Sequence, residues 1–410
     1  MPTRLGIKDA AGGNAVNGAR MHPKHFASKV GRRLLSNAFI AMVMLVLSTG
    51  AESTQQPSVA EYAARFDRMD RALNNGDGYS DALNTKGDLA WGEGYLLRAY
   101  VAMAKATDDP AYLDSEVEHF DRILQNRDDR LGKIDVFRKV PMPAWGSDEY
   151  SRGRWHVWAV HTGMICLGPA EFVRLVRGVT RWRRAYGRKA DEYLQRIEEA
   201  VAAHDPDYHD GPAPGEGYYT DPEIGPLPLN QQNALGSVIV ELYNITRDHR
   251  YKNRAAHLAL YFKHRLHRMA NGAWEWPYLA KPDGSSSGVE DISHAAIDVD
   301  FAARCRWAHI GFNQRDMLGF AATWTRNVRH SATDFADTVA GTGGINTYMP
   351  QAAGRWLSLV PFDRSILSDA RRAFATSTDS RSNTADMLGI AELARWTREV
   401  SKKRKRFILL

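Results

Sequence analysis

In the run GVEDISHAAIDVDFA, Gly288 to Ala302, one histidine sits in an apolar helical pattern with acids on either side. On a helix, His294 shares a face with Glu290 four residues back and with Ile297, Asp298 and Phe301 ahead. A histidine so placed can act as a general base, bind a metal, or be an ordinary core histidine held by hydrogen bonds. Ser287 and Glu290 fit a capping box, which predicts that Glu290 caps this helix and that His294 lies in its first turn or two. A metal site needs two or three more convergent ligands, and His156, His161 and Asp298 are the available ones. No HExxH or comparable spacing occurs, so no metal or other cofactor is expected.

Two further polar residues stand in comparable places. Asn233, in PLPLNQQNALGS, falls just inside an apolar helix; Asn230 is the better N-cap candidate, which leaves Asn233 free to face a cleft. Tyr348 lies in GTGGINTYMP, where glycines allow close approach to a ligand. In GAWEWPYL, Trp274, Trp276 and Tyr278 share one side if the segment is extended, and flat aromatic faces of this kind stack on sugar rings. Trp91, Glu93 and Tyr95 in LAWGEGYL, with Trp145 and Tyr150, extend the same theme.

These residues need a scaffold, and from about Val59 onward the chain reads as helix after helix. An apolar helix, a charged turn and a more amphipathic helix recur at about 40–60 residues, as in LNQQNALGSVIVELYNITRDHRYKNRAAHLALYFKHRLH. The repeats differ in sequence, and the long loops KVPMPAWGSDEYSRGRW, HDGPAPGEGYYTDPEIGPLPL, ANGAWEWPYLAKPDGSSSG and AGTGGINTYMPQAAGRW all border apolar helices. Long loops gathered at one end are usually functional. The expected fold is all-α, an α/α toroid forming an incomplete barrel of about six or seven helical hairpins, rather than an open solenoid.

Ahead of the helices, SKVGRR followed by LLSNAFIAMVMLVLS and small polar residues reads as a secretory signal, with an uncleaved anchor as its competitor. Its apolar core is short for a membrane span. The expected organisation is a leader over 1–51, a catalytic domain over 52–400 and a basic tail over 401–410, with the mature protein periplasmic or secreted and without a stable membrane span. The leader holds seven basic residues and one acid, so removing it leaves 47 of each and cancels the formal +6. The basic balance is therefore no argument for a nucleic-acid partner. Cys166 and Cys305, the two cysteines, lie in apolar helical segments and are expected as buried thiols.

The order and spacing of Asn233, His294 and Tyr348, with NQQNALGS and EDISHA around the first two, resemble polysaccharide lyase family 38 over most of the chain after the leader. That resemblance implies cleavage of an acidic polysaccharide of glucuronan or alginate type. By it, Asn233 neutralises the uronate carboxylate, His294 takes the C5 proton and Tyr348 protonates the leaving oxygen. The family places an arginine shortly before its tyrosine; VAGTGGINTY holds none, and Arg304, Arg355 or Arg154 would have to replace it. Trp91, Glu93, Arg154, His156, Trp274, Trp276, Glu290 and Arg304 complete the candidate substrate-binding set. The alternatives are a glycoside hydrolase using two of Glu93, Glu290, Asp291 and Asp298, a uronyl C5-epimerase, and a non-catalytic carbohydrate-binding scaffold.

Overall fold

The structure is a computed structural model that describes residues 56–331, 334–343, 349–377 and 383–408, without the side chains of 349–350 and 403–408. Among the described residues, twelve helices alternate between an outer and an inner layer. The outer ones are α1 (Val59–Ala72), α3 (Ala111–Gln125), α5 (Thr180–Ala202), α7 (His249–Lys263), α9 (Gln314–Ala322) and α11 (Ser365–Ala375). The inner ones are α2 (Gly94–Thr107), α4 (Ala159–Gly178), α6 (Leu229–Thr246), α8 (Ile292–Trp307), α10 (Met349–Arg355) and α12 (Thr384–Ile408). Each inner helix packs on the next, and α12 returns to α2, so the ring closes. The fold is an α/α toroid of six helix pairs.

The layer of each helix follows from its side chains. α4 and α6 are buried almost all round, whereas α3 and α5 bury one stripe and present charges outward. Small residues let the inner helices approach closely. A Cβ on Gly163 of α4 would lie 2.5 Å from the carbonyl carbon of Ala234 in α6, and one on Gly354 of α10 would lie 2.4 Å from the Cα of Gly389 in α12. Cys166 and Cys305 are buried free thiols.

The connections are unequal at the two ends. Inner-to-outer turns are short, such as Asp108–Pro110, Val179 and Arg247–Asp248. Most outer-to-inner connections, the one before α12 excepted, are long, and among the described residues they carry the strands: β1 (Tyr208–Asp210), β2 (Gly217–Asp221) and β3 (Gly225–Pro226) before α6, then β4 (His267–Arg268), β5 (Trp274–Glu275), β6 (Pro277–Ala280) and β7 (Ser286–Val289) before α8. The pairings are antiparallel, with Pro277 opposite Val289 and Arg268 opposite Trp274. The long loops thus collect where the inner helices begin. That end also receives six helix N-termini, whose dipoles favour negative charge.

Among the described residues no helix is long and apolar enough to cross a membrane. The proposed leader lies outside them.

Candidate active site at the long-loop end

His294 is the third residue of α8, and its position is set by the residue that starts the helix. Asp291 is the N-cap: its Oδ1 accepts hydrogen bonds from the amides of Ser293 (2.8 Å) and His294 (3.0 Å). Its other oxygen, Oδ2, stands 2.6 Å from His294 Nδ1. One carboxylate therefore caps the helix and fixes the imidazole. Burial acts to raise the pKa of Asp291, but its bonds from the His294 side chain and the backbone amides hold it below the usual value. The imidazole is 42% exposed, and Nε2 has no partner among the described residues. The ring of Tyr278, on β6, lies 5.8 Å away.

The capping-box expectation for Glu290 is not met. Ser287 and Val289 belong to β7, whose pairing with β6 keeps the chain extended until Asp291. Glu290 is fully buried behind the histidine, with Oε1 3.8 Å from His294 Nδ1. Next to it is Asp298, one turn beyond His294 and also fully buried. Asp298 Oδ1 accepts from Asn233 Nδ2 at 2.7 Å and Oδ2 from Trp276 Nε1 at 2.9 Å, and Glu290 hydrogen-bonds the same carboxylate. Burial and the neighbouring acids Asp298 and Asp291 push the Glu290 carboxyl well above the ordinary range. It therefore stays protonated and donates to Asp298. Two acids in contact resolve their repulsion by sharing a proton.

The other expected site residues fall into three places. Asn233 is at this end, buried with its amide turned to Asp298 rather than to the cleft; the chain enters α6 through Pro228, so Asn230 is not a side-chain cap either. Trp91 is half-buried at this end, with its ring 5.9 Å from that of His161 and its indole N–H toward the Tyr150 hydroxyl. Tyr348 lies outside the described residues.

A second group is tied up in structure. Both nitrogens of buried His156 are taken, Nδ1 by Asp135 at 2.8 Å and Nε2 by Asp221 at 2.7 Å. Glu93 is fully buried between His119 Nδ1 and the Tyr79 amide, each at 2.6 Å. Trp276 is core, bound to Asp298, and Trp274 turns its indole N–H to the Asp316 carbonyl at 2.9 Å. The extended run breaks at Pro277, where the chain changes hairpin partner; Trp276 offers no stacking face, and Trp274, partly buried, lines a groove with Leu318 and Arg326. Arg154 pairs with Glu223 and covers the Phe137 ring.

Arg304 stands at the wrong depth. It is ten residues beyond His294 in α8, about 15 Å along the axis, where it pairs with Glu171, Glu241 and Asp300. It cannot share a sugar carboxylate with His294.

Sequence reasoning missed Asp291 as the partner of the histidine, although an Asp directly before an apolar helical run is an N-cap signal. It grouped Tyr278 with the sugar-stacking tryptophans rather than beside His294. Gln231, whose amide lies beside the Tyr278 hydroxyl, carried no signal at all.

The polar atoms at this end are poorly satisfied. Trp158 Nε1, His161 Nε2, Asn230 Oδ1, Gln231 Oε1 and Ser293 Oγ are all buried and without partners among the described residues, and they all lie at the starts of α4, α6 and α8. Unpaired buried groups cost stability and persist where a ligand can complete them. Ligand atoms of Glu290, Asp291 and His294 also lie within 4.8 Å of one another, so a cation could be held there once Glu290 loses its proton.

No protein-family model matches the sequence, nor does any curated protein. Solved structures do match in fold. A glycoside hydrolase family 76 mannosidase from Bacteroides thetaiotaomicron is 12% identical, with 84% of this chain and 99% of that one covered and a TM-score of 0.56. The α-1,6-mannanase of the same family from Salegentibacter is 11% identical over 84% and 99%, at 0.54. The cellobiose 2-epimerase of Spirochaeta thermophila is 13% identical over 76% and 86%, at 0.51. The likeness is one of fold. These neighbours are carbohydrate-active enzymes built on α/α toroids.

Proposed function

We propose that the chain is a polysaccharide lyase that cleaves a uronic-acid-containing polymer by β-elimination, with His294 as the base. The observation that carries this reading is the Asp291–His294 pair at the long-loop end, with Nδ1 held and Nε2 unpartnered among the described residues. Asp291 fixes the tautomer that leaves Nε2 able to accept a proton, and stabilises the imidazolium that forms. A C5 proton next to a carboxylate is weakly acidic because its loss places a second negative charge on the acid. Six helix N-termini facing the cleft favour that charge. The leaving oxygen needs a proton, for which Tyr348 stands by resemblance and Tyr278 by its position beside His294.

Glycoside hydrolysis is the second reading. In the Salegentibacter mannanase, substitution of two adjacent aspartates gives an inactive enzyme, and here Glu290 and Asp291 are adjacent acids with opposite pKa shifts. Glu290 is sealed from the cleft, which favours elimination.

Incubation of the purified protein with glucuronan, alginate and neutral glucans separates the readings. An ultraviolet signal from an unsaturated uronate marks the lyase. New reducing ends without it would reject elimination in favour of hydrolysis, and C5 proton exchange without cleavage would indicate an epimerase. Binding without any turnover would support a scaffold.

A further inference from the structure

The lumen of the toroid holds a second polar cavity at the opposite end from His294. It measures about 320 Å³, and all six inner helices line it. That is at the lower end of small-molecule sites, which run from about 300 Å³. Its depth is set by register: Glu171, Glu241 and Arg304 each stand twelve residues after the first residue of α4, α6 and α8. Arg304 bonds Glu241 at 2.6 Å and Asp300 at 3.0 Å and pairs with Glu171; Arg98 bonds Asp300 at 2.9 Å.

The charges around this cavity do not balance. Six cations (Arg98, Lys105, Arg174, Arg304, Arg355 and Arg395) line it with four carboxylates, Glu171, Glu241, Asp300 and Glu392. The carboxylates are committed: Glu171 to Arg304 and Lys105, Glu241 to Arg304 and Arg174, Asp300 to Arg98 and Arg304, Glu392 to Arg395. Arg355 makes no salt bridge among the described residues; it bonds the Tyr95 hydroxyl and a backbone carbonyl, with Asp386 close enough to feel its charge. Arg98 Nε is ion-paired with Glu171 at 3.6 Å, but two further wall donors, Ser358 Oγ and Trp396 Nε1, are buried without a hydrogen-bond partner among the described residues. Burial, with Arg174 and Arg395 close by, lowers the Lys105 pKa despite its contact with Glu171. Cations in the last turns also complement helix C-termini, which accounts for part of the excess. Helix-end complementarity explains neither the unused donors nor the space between them.

We infer that this cavity binds a small oxyanion, entering from the short-loop end where Arg174 and Trp307 remain exposed. The chemistry is that of a compact tetrahedral or planar oxyanion held by guanidinium and hydroxyl donors, so inorganic phosphate, sulfate and a free uronate are the sources to distinguish. The site is independent of the lyase reading, since it lies on the other side of the barrel from His294.

The test is thermal unfolding of the full chain in sodium phosphate, sulfate and glucuronate, each against sodium chloride of equal ionic strength. Binding predicts a rise in Tm of about 2–4 °C near saturation for at least one of them, and the anion that gives it identifies the source. Arg355→Met should lose most of that rise. Ser358→Asp supplies a carboxylate from the wall itself, so it should raise Tm in chloride and abolish the response to the added anion. No shift beyond chloride with any of the three anions would overturn the site. So would a shift that survives Ser358→Asp, or a Ser358→Asp variant less stable than the parent.

Discussion

Asp291 holds α8 and His294 with one carboxylate: Oδ1 receives two backbone amides while Oδ2 sits 2.6 Å from the imidazole Nδ1. Helix start and candidate base are thus a single arrangement, and the two functions separate by substitution. Asp291→Asn keeps an oxygen for the cap but changes the tautomer preference of the histidine. It should cost well under ~1 kcal/mol of stability while lowering kcat by about 10²-fold or more. Asp291→Ala should lose both. Urea unfolding and ultraviolet-monitored turnover, measured side by side, check the split.

His294→Gln should abolish elimination, by about 10²–10⁴-fold, with little change in Tm, because the side chain is partly exposed and, among the described residues, hydrogen-bonds only to Asp291. Full activity in this variant would remove His294 from the mechanism. Running the same assay after exhaustive chelation tests whether a cation at Glu290, Asp291 and His294 takes part.

The two tyrosine candidates are distinguished by Tyr278→Phe and Tyr348→Phe. The acid should show the larger fall in kcat, and the loss should shrink with a substrate whose leaving group needs no proton. Equal and full activity in both would leave the leaving oxygen to water.

Glu290 and Asp298 make stability fall with rising pH. A carboxyl whose folded pKa is raised stays protonated after the unfolded chain has ionised, so its contribution is complete below the unfolded value near 4 and is lost as pH climbs towards the folded one. Glu290→Gln keeps a donor to Asp298 without a titration. It should flatten the decline of Tm above about pH 4.5, read by scanning calorimetry across pH.

His161 works in the opposite sense. Burial lowers its pKa to about 3, so between there and about 6.5 the unfolded chain takes up a proton that the fold refuses. Stability then falls with acidification by about 1.4 kcal/mol per pH unit for this group. His161→Phe should reduce the Tm difference between pH 7 and pH 5.

Gly163→Ala should destabilise by about 1–3 kcal/mol, because its methyl would meet the α6 backbone at 2.5 Å and only a shift of a whole helix relieves that. The comparison Gly178→Ala, in open space, should be near neutral or stabilising. Denaturant midpoints for the two variants give the answer.

The toroid was legible because burial leaves a periodic trace: inner helices such as α4 are apolar all round and their outer partners are striped. The gathering of long loops at one end was legible from their Gly/Pro/aromatic composition. The site was legible only in part. His294 stood out, but its cap was misplaced onto Glu290 because pairing with Leu279, in the strand before it, holds Ser287 extended. His156, Glu93 and Arg304 looked available for substrate because sequence shows a charge without its partner. Their partners are 21, 26 and up to 133 residues away.

The unequal ends of the barrel have an evolutionary reading. At the short-turn rim, an inserted residue would shift a helix and disturb every contact below it. At the other rim, doubling a loop costs only about 0.6 kcal/mol in closure entropy, so segments there can be lengthened or exchanged while the ring stands. A barrel of this kind can change what it recognises without renegotiating how it folds. Chains of very different sequence can then share the fold, as the 11–13% identity of the neighbouring toroids illustrates.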